Sequence, residues 1–186
     1  MKRLGLVTAA AVSILILTGW HATPASAQEP RILFIPSHLS VPASALVRQN
    51  DNSTYDTNGV RMVTGDGGVV SFHAPVELPD IALISGVTLE AFDESADVEF
   101  GGFVRVWLRE FRFNTFLDIG GSPIVQTDAA GAPGNVRVNA TLPGLHQVDN
   151  AEHSYGLLVQ LFNGAAGPFS VGYYKVVIHY YRLEVY

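Results

Sequence analysis

Cysteine is absent from this 186-residue chain, which excludes disulfide staples, thiol catalysis and thiolate metal sites together. Basic residues are scarce: 11 Lys plus Arg stand against 17 Asp plus Glu, a formal net charge of −6. Nucleic-acid binding needs a concentrated basic surface that neutralises phosphates. The cations here are few and scattered, so no nucleic-acid partner is expected, and docking on anionic lipid headgroups is disfavoured for the same reason. Helical periodicity is missing too, since no window after residue 27 sustains apolar residues at i, i+3, i+4 and i+7 between caps. Long apolar runs are limited to Leu4–Leu17, 14 positions where about 20 are needed to cross a bilayer.

What is present begins with that run. Lys2 and Arg3 precede it, and Ala25-Ser26-Ala27 follows, the charged start, short apolar middle and small-residue exit of a secretory signal peptide. The expected mature chain starts at Gln28 and is secreted or periplasmic, with no integral membrane segment after cleavage. Residues 28–186 then form a single domain with room for a sizeable core. Cleavage removes two cations, leaving 9 against 17 acidic residues, a net charge of −8 with Lys175 the sole lysine.

Short runs of β-branched and aromatic residues, separated by Gly, Pro, Asn and Asp, predict an all-β chain. The expected strands are 32–35, 45–48, 60–64, 69–73, 85–92, 103–113, 136–140, 154–162 and 171–186. About nine strands in a domain of this size predict a two-sheet antiparallel sandwich, jelly-roll-like in its connections. Loops are expected at 49–59 and 127–135, and a tight connection at Gly65-Asp66-Gly67-Gly68.

Alternation fixes the faces. Val104, Val106 and Leu108 share one side of their strand and should enter the core, while Arg105, Trp107 and Arg109 share the other. Around Leu157, Val159 and Leu161 both faces are apolar, as in a strand central to its sheet. Gly172 is followed by 14 residues without Gly or Pro, which predicts a bulge or bend, because common strands are far shorter.

The runs Val41-Pro42-Ala43-Ser44-Ala45-Leu46-Val47-Arg48, Phe72-His73-Ala74-Pro75-Val76-Glu77-Leu78-Pro79 and Val87-Thr88-Leu89-Glu90-Ala91-Phe92-Asp93, with Val148-Asp149-Asn150 before Tyr155, resemble a group of exported bacterial proteins. That group shares the patterns P-x-x-A-F-V-P-R, F-x-A-P-V-x-L-P-D-G and V-D-N-x-x-x-x-Y. The chain departs from them where Ile81-Ala82 replaces Gly after Pro79-Asp80. The resemblance implies a β-sandwich and no defined activity.

Three groups of residues are candidates for chemistry. Asp93, Glu94, Asp97 and Glu99 place four carboxylates in seven residues; they form a candidate calcium site, calcium being the one cofactor the sequence raises, against the plainer reading of a solvated acidic turn. Asp93 and Glu110 are candidates for the paired carboxylates of glycoside hydrolysis. Trp107 with Arg105, Arg109, Tyr173 and Tyr181 is a candidate sugar platform, since flat rings cover the apolar face of a pyranose while polar neighbours hold its hydroxyls; the same rings serve equally as core or as a subunit interface.

Other motifs are missing. The histidines show no His-Glu-x-x-His spacing, Gly120-Gly121-Ser122-Pro123 lacks the second glycine of a nucleophile elbow, and Gly65–Gly68 lacks the lysine of a phosphate loop. The expected function is therefore an exported, non-enzymatic binding or structural module, with a glycan or envelope component as partner and self-association into a homo-oligomer as one outcome. Its alternative is a carbohydrate-binding or carbohydrate-active protein using Trp107.

Overall fold

The computed structural model describes residues 31–49, 61–62, 68–94, 101–127, 134–164 and 171–186. The expected signal peptide, most of the expected strand 60–64 and the other residues between these segments lie outside it. Residues 31–186 belong to one unit. Among the described residues, no helix is long and apolar enough to cross a membrane.

The strands are β1 (Ile32–Pro42), β2 (Val47–Arg48), β3 (Arg61–Met62), β4 (Val70–Val76), β5 (Leu83–Asp93), β6 (Gly101–Arg112), β7 (Thr115–Asp118), β8 (Val125–Gln126), β9 (Gly134–Gln147), β10 (Ser154–Gly164) and β11 (Val171–Val185). One sheet has the order β1-β11-β5-β9, with β3 also on β11; the other has β2-β4-β10-β6-β7, with β8 also on β6. Every pairing is antiparallel. Setting aside the two-residue strands β2, β3 and β8, the pairs nest: β1 with β11, β4 with β10, β5 with β9, β6 with β7. Nested pairing of eight strands across two sheets is the jelly roll.

Alternation builds the core as expected. Val104, Val106 and Leu108 from β6 and Leu157, Val159 and Leu161 from β10 are all fully buried, each worth about 1.5–3 kcal/mol of burial. They meet Val87, Leu89, Val176 and Ile178 of the other sheet in one cluster. β10 lies between β4 and β6, which explains its two apolar faces. β11 carries register shifts at Tyr173/Lys175 and His179/Tyr180, the irregularity its length requires.

Three local expectations need correction. β3 pairs with β11 and β4 with β2 and β10, so the strands on either side of the expected Gly65–Gly68 connection belong to different sheets and do not pair as a hairpin; Gly65, Asp66 and Gly67 themselves lie outside the described residues. β1 continues through Pro36 to Pro42 and β9 through Pro143 to Gln147, both on sheet edges where a missing N–H leaves no ladder partner unsatisfied. The segment 43–45, including the expected strand start Ala45, is a turn of 3₁₀ helix.

Candidate functional site

The even residues of β6 from Val104 to Glu110 are buried, so its odd residues form the outer face of the second sheet. Phe103, Arg105, Trp107, Arg109 and Phe111 therefore stand in one row, about 27 Å long at roughly 3.4 Å per residue. Each is held in place. The Arg105 guanidinium carbon lies 3.9 Å from the centroid of the Phe103 ring, which packs 5.3 Å from Phe162 on β10. Trp107 Nε1–H donates to Ser122 Oγ at 2.9 Å, fixing the indole against the segment between β7 and β8. Arg109 Nε–H donates to Asp118 Oδ1 at 2.8 Å, and its guanidinium carbon sits 4.2 Å from the Phe116 ring centroid.

Beside this row is a cleft of about 300 Å³ lined by Val47, Arg48, Gln49, His73, Arg109, Phe111 and Leu158. Register explains its position. Leu158 of β10 is paired with Trp107 on one side and His73 of β4 on the other, while Gly156 is paired with Arg109. The His73 and Phe111 rings approach edge to face, with centroids 5.8 Å apart. They can do so because Gly156 has no side chain: a Cβ there would lie 2.8 Å from His73 Nε2 and 3.0 Å from Phe111 Cε2. The cleft is lined by apolar side chains together with the donors Arg48, Gln49, His73 and Arg109.

The platform expected from Trp107 is only partly assembled. Arg105, Trp107 and Arg109 are together as expected. Tyr173 is not with them: it is fully buried, its hydroxyl donates to the Val41 carbonyl at 2.6 Å, and burial pushes its ionisation far above the usual tyrosine range. Tyr181 lies on β11, in the other sheet. The rings that do join Trp107 are phenylalanines. Those of β6, at 103 and 111, were legible by extending the alternation two residues each way; Phe116 and Phe162 needed the strand pairing.

Of the acidic segment, only Asp93 and Glu94 lie among the described residues. Asp93 is fully buried and accepts from Thr127 Oγ1 at 2.5 Å, and that oxygen in turn accepts from Val104 N–H at 2.9 Å. Glu94, next along the chain, is exposed. Asp97 and Glu99 lie outside the described residues. Among the described residues, no group of three or more His, Asp or Glu side chains is arranged so that it could hold a metal ion.

Asp93 and Glu110 do not face each other either. Thr127 ties Asp93 to Val104, and Glu110 is six residues further along β6, about 20 Å at roughly 3.4 Å per residue. Paired catalytic carboxylates stand about 5–9.5 Å apart. Glu110 instead has its own partners. It is nearly buried, with Arg112 Nε–H donating to Oε1 at 2.5 Å, His146 Nε2 2.7 Å from Oε2 and His153 Nδ1 3.6 Å from Oε1.

Two histidines also meet across strands: His38 of β1 is register partner to His179 of β11. Thr88 Oγ1 donates to Asn139 Oδ1 at 2.7 Å and so accepts from His179 Nε2–H, also at 2.7 Å. Sequence spacing could not show either histidine grouping, because both depend on long-range pairing.

Strand order and register define the class of protein as a jelly-roll β-sandwich. No protein-family model and no curated protein matches the chain. Among solved structures it is similar to a chain of the cyanophage Pam1 capsid asymmetric unit, at 17% identity over 94% of this chain and 96% of that one, TM-score 0.37. It is also similar to the carbohydrate-binding module CBM36 in complex with calcium and xylotriose, at 10% identity over 78% and 99%, TM-score 0.35. A third is the CBM36-1 domain of a multidomain xylanase from the hindgut metagenome of Trinervitermes trinervoides, at 12% identity over 80% and 97%, TM-score 0.33.

Proposed function

We propose that this chain is an exported, non-enzymatic module, secreted or periplasmic, that binds glycans on the outer face of its second sheet. The observation that carries the reading is the row Phe103, Arg105, Trp107, Arg109, Phe111 beside a cleft of about 300 Å³. Rings and guanidinium groups alternate along one strand, so a saccharide lying on it meets apolar surface and hydrogen-bond donors in turn. Trp107 is held by Ser122 and Arg109 by Asp118 and Phe116; side chains fixed before binding lose little rotamer freedom on it.

A glycan array on the purified protein tests this. Saturable binding to at least one glycan, lost in Trp107→Ala while the melting temperature holds, is the expected result. An array without saturable binding, or equal binding by the variant, overturns it.

A further inference from the structure

We infer that the glycan is acidic: a uronic-acid polysaccharide whose carboxylate enters the cleft beside Arg109. This rests on the glycan-binding reading of the same face and names its ligand class. The first argument is charge. The chain has 17 acidic residues against 11 basic, yet among the described residues no Asp or Glu lines the cleft, while Arg48, Gln49, His73 and Arg109 do. The described lining is rich in donors, and the nearby carboxylate of Asp118 is already paired with Arg109. An entering carboxylate gains charge-assisted hydrogen bonds.

The second argument is the geometry of Arg109. Asp118 takes its Nε–H at 2.8 Å and the Phe116 ring lies against its face. The guanidinium is thus oriented, and among the described residues no further hydrogen bond occupies its two terminal amino groups. That edge of the fork matches a carboxylate bidentately, which a lysine ammonium would not. Leu158 and Phe111 offer apolar surface to the sugar ring next to it.

The third argument is spacing. Arg105 lies on the same face, about 14 Å from Arg109 at roughly 3.4 Å per residue, with Trp107 between them. A polymer carrying acid groups at intervals meets a cation on each side of the indole. A neutral polymer uses only the ring.

The test compares polygalacturonate, alginate and hyaluronan with the same polymers after chemical reduction of their carboxyl groups, by isothermal titration on the purified full chain. At least one native polymer should bind about tenfold or more tightly than its reduced form, the value of one charge-assisted hydrogen bond, and should weaken as salt is added. Arg109→Gln should erase that preference and Arg109→Lys restore only part of it. His73→Gln serves as a second variant if loss of the Asp118 partner unfolds the first.

Equal binding of native and reduced polymers, abolished by Trp107→Ala, overturns the acidic assignment and leaves the glycan reading standing. Native-polymer binding unchanged in folded Arg109→Gln and His73→Gln overturns the cleft as its site. No binding of any polymer, together with an empty glycan array, overturns both.

Discussion

Glu110 Oε2 lies 2.7 Å from His146 Nε2, and this contact joins β6 of one sheet to β9 of the other. The carboxylate is almost wholly out of water, with its side chain 3% exposed. A lone charge in that position would be strongly unfavourable. It is tolerated because Arg112 and His153 approach the other oxygen. Tyr155 closes the cluster: its ring stands edge-on to His146, its hydroxyl accepts from Asp149 N–H at 2.9 Å, and burial raises its ionisation above the ordinary tyrosine value.

Acid sensitivity follows from that cluster. Burial alone would raise the Glu110 pKa, but the hydrogen bonds from Arg112 and His146 and the charges of His146 and His153 outweigh it and hold the value below the ordinary 4.5. A carboxyl whose folded-state pKa is depressed contributes stability that is present above its unfolded value and lost as pH falls through the folded one. Thermal melts should therefore lose stability as pH drops below about 4.5, the value for the unfolded chain. Glu110→Gln should lower stability by about 1–3 kcal/mol at neutral pH and flatten that acid limb. An acid limb of unchanged slope in the variant would remove Glu110 as its cause.

The turn after β4 offers a stabilising change. Ile81 has φ 57°, a left-handed conformation that costs a β-branched residue about 1–2 kcal/mol. It is held there because Ile81 N–H bonds the Val148 carbonyl at 3.0 Å and Val148 N–H bonds the Ala82 carbonyl at 2.8 Å. The backbone at position 81 is one glycine adopts without strain. Ile81 is 46% exposed, so removing its side chain gives up about half the burial a core isoleucine would lose. Ile81→Gly should raise stability by about 0.5–1 kcal/mol in chemical denaturation, once the greater unfolded-state freedom of glycine is offset. A loss of stability instead would show that the isoleucine side chain contributes more than its backbone strain removes.

The contrast between Ile81 and Arg105 shows what could be read in advance. Period-two alternation placed Val104 inside and Arg105 outside, because a half-buried strand states its faces locally. The same logic identified β10 as central, while the length of the run after Gly172 marked β11 as irregular. Two strands run past their expected ends, β1 through Pro36 and β9 through Pro143, and only the sheet order shows that both are edges. β7 was missed because its four residues, Thr115–Asp118, are too few to show a period. For the site, Trp107 and its flanking arginines were legible on one strand. His73 entering their neighbourhood was not, since it arrives through β4 and β10, and nothing in the order of residues says which face Tyr173 and Tyr181 occupy.

Gly156 provides a direct probe of the cleft. It lies on β10 between Pro75 of β4 and Arg109 of β6, where an added methyl would meet His73 Nε2 at 2.8 Å, Phe111 Cε2 at 3.0 Å and the Ala74 carbonyl oxygen at 3.2 Å. The carbonyl belongs to a paired strand and cannot retreat far. His73 and Phe111 can turn, because both side chains end at the surface of the sheet. Gly156→Ala should therefore fold, lose about 1–3 kcal/mol through overpacking, and separate the two rings that border Arg109. Gly86→Ala is the matching control: its methyl would meet a backbone atom, the Ala140 carbonyl oxygen, at 2.6 Å, far from the cleft on the other sheet, so it should destabilise without changing glycan selectivity in whatever fraction folds. If Gly156→Ala binds glycans as the unmodified chain does while its melting temperature falls, His73 and Phe111 pack the sheet and do not shape the ligand site.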